Sequence, residues 1–350
     1  MTTKRILITG GAGFIGCNAA RYFGARNWEV TALDDLSRRG NDENLAWLRD
    51  GTTFEFEKAD VRDRQAVERI IAEGRFDAIL HLAAQVAVTT SVTDPRLDFT
   101  VNALGTFNLL DAVRRLSPET VFVFASTNKV YGKIERAGAE LNDGRWSYVD
   151  RPNGISESEP LDFLSPYGCS KGAADQYVLD FARIYGIRAT SFRQSCIYGP
   201  RQFGIEDQGW VAWFAIASLL KRNITIFGDG RQVRDVLAVD DLLAAYEAAI
   251  RSPDKVAGEA FNVGGGPERT LSLLELIAML EHRLQGKVPL QWSDWRPGDQ
   301  KVYISDIRKL DRLLGWRPEL TVSDGVNQLL DWVHDNRASF SEPEPQQRAT

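Results

Sequence analysis

The first half of the chain repeats one pattern. Short strand-like runs, several of them nearly all apolar, lie at 6–8, 30–33, 54–57, 78–80, 121–124 and 187–192. Between most of them, apolar positions recur at helical spacing: from the first run to about Arg26, and at 66–72, 104–113 and 175–185. Nearly continuous apolar runs predict strands buried on both faces, and the amphipathic stretches predict the helices that cover them. The alternation predicts an α/β fold with a doubly wound parallel sheet over residues 1–192. After Arg193 the pattern loosens. Turn clusters at Gly228-Asp229-Gly230, Gly264-Gly265-Gly266-Pro267 and Arg296-Pro297-Gly298 interrupt short strands and helices. Residues 193–340 are therefore expected to form a smaller C-terminal α/β lobe, the second wall of a cleft. The amphipathic stretch at 240–250 is expected to return to the first lobe. The polar, Pro-rich tail from Ser341 is expected to be disordered.

Composition narrows the class. The chain has 350 residues, 43% hydrophobic and 26% charged, which is ordinary globular usage and excludes collagen and coiled coil. A formal net charge of -6 argues against a nucleic-acid binder without excluding local basic pockets. The longest apolar run, 211–220, falls short of the ~20 residues that span a bilayer. The N-terminus runs straight into a strand pattern without a signal-peptide core. Three scattered cysteines and three histidines, with no Cys-x-x-Cys pair, leave no disulfide framework or metal site to expect. A cytoplasmic location is the expectation.

The strongest local signal is Thr9-Gly10-Gly11-Ala12-Gly13-Phe14-Ile15-Gly16, directly after the first strand and opening a helix. Gly10 allows a tight turn and Gly13 lets backbone approach a pyrophosphate. Gly16 lets the helix pack on the sheet, and the helix N-terminus offers N–H groups to the anion. Asp34 ends the second strand at the roughly 20-residue spacing where an acid accepts from ribose hydroxyls, which favours NAD over NADP. Asp35 strengthens that preference, with Ser37 beside it. Arg38 and Arg39 oppose it, because arginines here can receive a 2′-phosphate. Asp60, followed by Val61, can accept from the adenine amino group. Leu82, Ala83, Ala84 and Gln85 follow the fourth strand, where small residues let backbone approach a cofactor. His81, just before them, reads as a satisfied core histidine. The context makes this a Rossmann-type cradle rather than a glycine turn without a ligand.

Tyr167-Gly168-Cys169-Ser170-Lys171 places Tyr167 and Lys171 at i and i+4 on one helix face. A free tyrosine has a pKa near 10, too high for a base at neutral pH. A neighbouring ammonium and a cationic nicotinamide would each stabilise the phenolate. Tyr167 can then take a hydroxyl proton while hydride leaves the same carbon for NAD. Lys171 can also hold the nicotinamide ribose. By itself the spacing is also that of an ordinary amphipathic pair. The glycine cradle and Thr127, after the fifth strand, make the catalytic assignment the stronger one.

With these motifs the chain resembles the extended short-chain dehydrogenase/reductase family of nucleotide-sugar enzymes, over roughly residues 4–335. The resemblance implies that Thr127 shares the sugar hydroxyl with Tyr167 and that Asn102, counted with the cofactor set, props the catalytic helix. It also implies a homodimer or homotetramer through paired helices, here those beginning near Ala103 and Gly168. Family dehydratases carry an acid pair after this threonine, and decarboxylases keep a glutamate. This chain has Asn128 and Lys129 instead, which fits an epimerisation needing only hydride removal and return.

Longer stretches resemble the subgroup that epimerises CDP-linked sugars at C2, interconverting CDP-paratose and CDP-tyvelose in O-antigen biosynthesis. They are Asp35-Leu36-Ser37-Arg38-Arg39-Gly40, Gln85-Val86-Ala87-Val88-Thr89-Thr90-Ser91, Ser126 through Gly132, Arg151-Pro152-Asn153-Gly154, Ser165 through Tyr177, Tyr198 through Phe203 and Asp207-Gln208-Gly209-Trp210. This implies a 2-keto intermediate and retained NAD. On the substrate side it implies Gln85, Thr127, Asn128, Lys129 and Cys196, with Arg234 and Arg296 at the diphosphate. Cys196 departs from the Asn of many relatives. The alternative for either arginine is a surface ion pair. Residues 133–165 read equally as a lid or as a disordered surface insertion. Two other functions remain open: a UDP- or CDP-sugar 4-epimerase using the same Thr127, Tyr167 and Lys171, and an NAD-sensing regulator, which retention of the Tyr/Lys pair disfavours.

Overall fold

The computed structural model describes residues 3–134, 136–296 and 299–340. The tail from Ser341, and Pro297 and Gly298 of the Arg296–Asp299 motif, lie outside them.

Seven strands form the large sheet: β1 (Arg5–Thr9), β2 (Glu29–Asp34), β3 (Glu55–Lys58), β4 (Ala78–His81), β5 (Val121–Thr127), β6 (Ala189–Gln194) and β7 (Ala260–Val263). Their order is β7-β6-β5-β4-β1-β2-β3, and every pairing is parallel. The five helices that cover the sheet are α1 (Phe14–Gly24), α2 (Arg64–Gly74), α3 (Gly105–Leu116), α4 (Ser165–Tyr185) and α5 (Val239–Arg251). Alternation along each strand explains the layers. Ile6 and Ile8 of β1 face α1 and α5, whereas Leu7 faces the cluster built from α2, α3 and α4. Both sheet faces are therefore buried, as the continuous apolar runs predict.

Strand β7 corrects the expected division. Residues 260–263 fall in the stretch assigned to the smaller lobe, yet they add the seventh strand beside β6. Phe261 is fully buried there against Phe192, which stacks on Tyr246 of α5. Pairing removes the open edge of β6, and a four-residue run carries no sign of which sheet it joins.

The smaller sheets and their helices lie beyond this core. Val233–Ala238 pairs in parallel with Cys196–Tyr198 and Val302–Tyr303 and antiparallel with Thr270–Ser272. Ile224–Phe227 pairs in parallel with Leu290–Ser293. A second hydrophobic cluster joins the helices Trp210–Leu219, Leu273–Leu284 and Val322–Asp335. The 133–165 stretch contains a hairpin, Ala139–Asn142 with Arg145–Tyr148. It is tied down by Trp146 Nε1 donating to Asp229 (2.8 Å), Arg145 donating to Thr270 (2.7 Å) and Tyr148 donating to the Val302 carbonyl (3.0 Å). The described part is thus an ordered hairpin, which corrects the disordered-insertion alternative.

Candidate functional site

Strand order reverses between β1 and β4, and an open crevice is expected at the carboxyl ends of the strands there. A cleft of about 510 Å³ occupies that position. Gly10 turns at φ +69°, and a Cβ on it would lie 2.8 Å from the Ala83 nitrogen. A Cβ on Gly16 would collide with the Gly10 carbonyl oxygen. The two glycines therefore let β1, α1 and the loop after β4 meet closely. Helix α1 starts after Gly13 without a side-chain cap, so its first N–H groups face the cleft free for an anion.

The structure gathers most of the predicted cofactor residues here. Gly10, Gly13, Phe14, Ile15 and Gly16 line the cleft, with Asp34, Asp35, Ser37 and Arg38. Asp60, Val61, Leu82, Ala83, Ala84, Gln85, Tyr167 and Lys171 line it too.

Asp34 is buried and already accepts from Ala12 N (3.0 Å), Leu36 N (2.8 Å) and Asn41 Nδ2 (2.9 Å). Burial raises its pKa, and these bonds pull it back. Arg38 Nη2 donates to Gln208 Oε1 (2.8 Å), joining the two sides of the cleft. Asp60 is held by Arg62 Nε at 2.8 Å. Gln85 is less free than a ligand-binding side chain would be. Its Nε2 donates to the Ala87 carbonyl (2.9 Å) and to Asp98 (2.8 Å), and its Oε1 accepts from Ala87 N (2.6 Å). His81 is buried between Thr9 (2.7 Å) and Thr106 (2.9 Å), and burial pushes its pKa down to about 3, so it is a neutral core group.

Asn102 lies just outside the cleft in a π-helical turn, Thr100–Leu104. Its Oδ1 accepts from Gln85 N (2.9 Å), and its Nδ2 donates to the Gln85 carbonyl (3.0 Å) and Ser170 Oγ (3.1 Å). It therefore bolts the β4 loop to α4.

Tyr167, Lys171 and Thr127 converge. Thr127 stands near enough to the Tyr167 hydroxyl to lower its pKa, and Lys171 Nζ donates to the Ala125 carbonyl (2.5 Å). Burial pushes Tyr167 up to about 12, with Asp98 adding to the rise and Thr127 and Arg38 opposing it. This reverses the direction expected from a neighbouring ammonium: burial is the largest influence on Tyr167, and the cation that acts on it is Arg38. Burial pushes Lys171 down to about 7, opposed by Asp175 and Asp98.

The predicted substrate residues form a separate group. Asn128 is buried beside Thr127. Lys129, Cys196 and Arg234 lie within electrostatic reach of one another, with Asp299 beside them. Arg234 is buried and donates to Asp299 (2.7 Å), so it is not a surface ion pair. Arg296 is half-exposed, pairs with Asp207 (3.1 Å) and stacks on Phe227. No described residue of 133–165 lines the cofactor cleft.

Ser126, Gln194, Ile205 and Gln208 are among the lining residues that the sequence argument does not assign to the site. Ser126 and Gln194 stand at the carboxyl ends of β5 and β6, where the switch-point rule finds them once strand order is known. Ile205 and Gln208 arrive from a loop of the other lobe, and nothing local announces them.

Comparison with known proteins agrees with this geometry. The family model described as GDP-mannose 4,6 dehydratase matches residues 7–329. A CDP-paratose 2-epimerase of Salmonella typhi is 44% identical over 334 residues, 94% of this chain and 99% of that protein. The UDP-glucose 4-epimerase of Thermotoga maritima, solved with UDP-glucose, superposes with TM-score 0.82 at 31% identity, covering 95% of this chain and 99% of that one. The UDP-glucuronic acid 4-epimerase of Bacillus cereus, solved with UDP-glucuronic acid and NAD, superposes with TM-score 0.81 at 27% identity, covering 95% and 99%. The chain belongs to the extended short-chain dehydrogenase/reductase family of nucleotide-sugar epimerases and dehydratases.

Proposed function

We propose that this protein is an NAD-dependent epimerase that inverts C2 of a CDP-linked sugar, interconverting CDP-paratose and CDP-tyvelose. The observation that carries the reading is the 44% identity to the Salmonella typhi 2-epimerase across 94% of the chain. The cleft fits NAD: a Cβ would fill the glycine cradle, the α1 N-terminus suits a pyrophosphate, and buried Asp34 suits a ribose. Bound there, NAD supplies the acceptor and donor of hydride.

In the proposed mechanism Tyr167 takes the proton of the sugar C2 hydroxyl as that carbon is oxidised, and returns it when the opposite face is reduced. Thr127, beside Tyr167, shares and orients the same hydroxyl. Lys171 holds the nicotinamide ribose and stabilises the phenolate. Asn102 keeps α4 in register with the cofactor wall. Arg234 and Arg296 offer forked donors to the diphosphate, exchanging Asp299 and Asp207 for phosphate oxygens. Asn128 and Lys129 supply no carboxylate for eliminating water, which supports epimerisation over dehydration.

The larger lobe, residues 1–192 with α5 and β7, is the proposed cofactor domain, and the rest is the proposed substrate lobe. A homo-oligomer is part of the proposal. Phe99, Phe107, Tyr177, Ile184 and Tyr185 are exposed on or beside α3 and α4, an apolar face suited to helix pairing. Cytoplasmic O-antigen biosynthesis completes it; no helix among the described residues is long and apolar enough to cross a membrane.

A second reading, a 4-epimerase, is favoured by the structural neighbours at TM-scores of 0.82 and 0.81. The test is a screen of CDP-, UDP- and GDP-sugars with product stereochemistry read by NMR. Inversion at C2 of a CDP-sugar is expected; inversion at C4 transfers the assignment to the second reading.

A further inference from the structure

The short helix Pro95–Phe99 carries a carboxylate that the mechanism above does not use. Asp98 is fully buried. Its Oδ1 accepts from Gln85 Nε2 (2.8 Å) and Asn102 Nδ2 (3.1 Å). Its Oδ2 is buried with no hydrogen-bond partner. Ser170, between Tyr167 and Lys171, stands beside it. The Ser170 hydroxyl donates to the Tyr167 carbonyl (3.2 Å) and can rotate toward the carboxylate.

A buried carboxylate with an open oxygen is costly unless a cation compensates it. Burial raises the pKa of the Asp98 carboxyl; Ser170 and Gln85 oppose that rise, and Lys171 is the cation that does so with them. The charges around Lys171 come from four elements. Asp175 lies one turn along α4, but Arg193 of β6 claims it at 2.8 Å. His81 of β4 is neutral. Asp98, from the 95–99 helix, has no arginine of its own. Tyr167 faces Asp98 together with Arg38 and Thr127.

We propose that Asp98 is a positioning residue for the Tyr167–Lys171 pair: its buried charge keeps Lys171 an ammonium, and its bonds to Gln85 and Asn102 fix the cleft wall against α4. This rests on the roles given above to Tyr167 and Lys171. Removing a buried anion lowers the pKa of every group near it. The lysine should therefore lose its proton at lower pH, as should the tyrosine.

The test is NMR of protein labelled with 13C-lysine, with Lys171 assigned from the signal missing in Lys171→Met. The wild-type signal is expected to titrate near neutrality, well below the surface lysines. In Asp98→Asn the step should move to lower pH by roughly half a unit or more. Asp98→Ser removes the same charge and serves if Asp98→Asn does not fold. An unmoved step overturns the proposal, as does a Lys171 that titrates with the surface lysines in wild type and variant alike. The readout needs no sugar, so a wrong substrate assignment leaves it intact. If that assignment holds, both limbs of the pH–activity profile should also move to lower pH.

Discussion

The Nζ of Lys171 donates to the Ala125 carbonyl at 2.5 Å, tying the middle of α4 to the carboxyl end of β5. Tyr167, one turn earlier, lies within reach of Thr127 at the end of the same strand. The catalytic proposal thus rests on a helix–strand joint and not on the Tyr-x-x-x-Lys spacing alone.

Replacing Tyr167 by Phe removes one hydroxyl from a buried ring and little packing. Turnover should fall by about 10²- to 10⁴-fold, the range typical of a lost general base, while the thermal midpoint stays close to wild type. Near-normal turnover in a folded Tyr167→Phe protein would remove Tyr167 as the base.

The depressed pKa of Lys171 has a definite stability sign. In the folded protein it is lowered from 10.5 to about 7 by burial, so between those values the unfolded chain binds more protons. Unfolding free energy should therefore rise with pH across that window. Denaturant titrations of the cofactor-free protein should show this slope, and Lys171→Met should flatten it. An equal slope in the variant would assign the effect to other groups.

Asp175 and Arg193 form a buried pair, 0% and 5% exposed at the side chain. Ser191 also donates to Asp175, and Tyr131 contacts the guanidinium at 3.1 Å. Arg193→Ala leaves an unpaired buried carboxylate behind Lys171 and should cost ~3–5 kcal/mol. Calorimetry or urea unfolding measures this; a cost below ~1 kcal/mol, the range of a surface pair, would show the site to be solvent-relaxed.

Epimerisation by hydride removal and return does not exchange the C2 hydrogen with solvent. Run in deuterated water, the product should keep protium at C2. Substantial deuterium there by NMR would replace the hydride route with enolisation.

The exposed face of Phe107 and Tyr177, whose rings meet edge-to-face at 5.6 Å, should be buried in the oligomer. Phe107→Glu is expected to yield a smaller species by light scattering, and an unchanged mass would place the interface elsewhere.

Local order decided much of what was legible. The glycine cradle, Asp34 at the end of β2, and the Tyr167–Lys171 pair each depend on residues close in sequence, whose spacing is set by strand, turn and helix geometry. The parallel sheet followed from runs such as Ile6-Leu7-Ile8, because only a strand covered on both faces has no polar side. Tertiary structure decided what depends on distant partners. Strand β7 joins the first sheet beside β6, which ends 66 residues earlier (260 − 194), and Arg38 meets Gln208 from the other lobe. Gln85 reads as a free ligand-binding amide until Asp98 and Ala87 are seen to occupy it. The Tyr167 and Lys171 pKa values turn on burial, which no spacing reports: desolvation depends on everything packed around a group, and that is settled only when the chain closes.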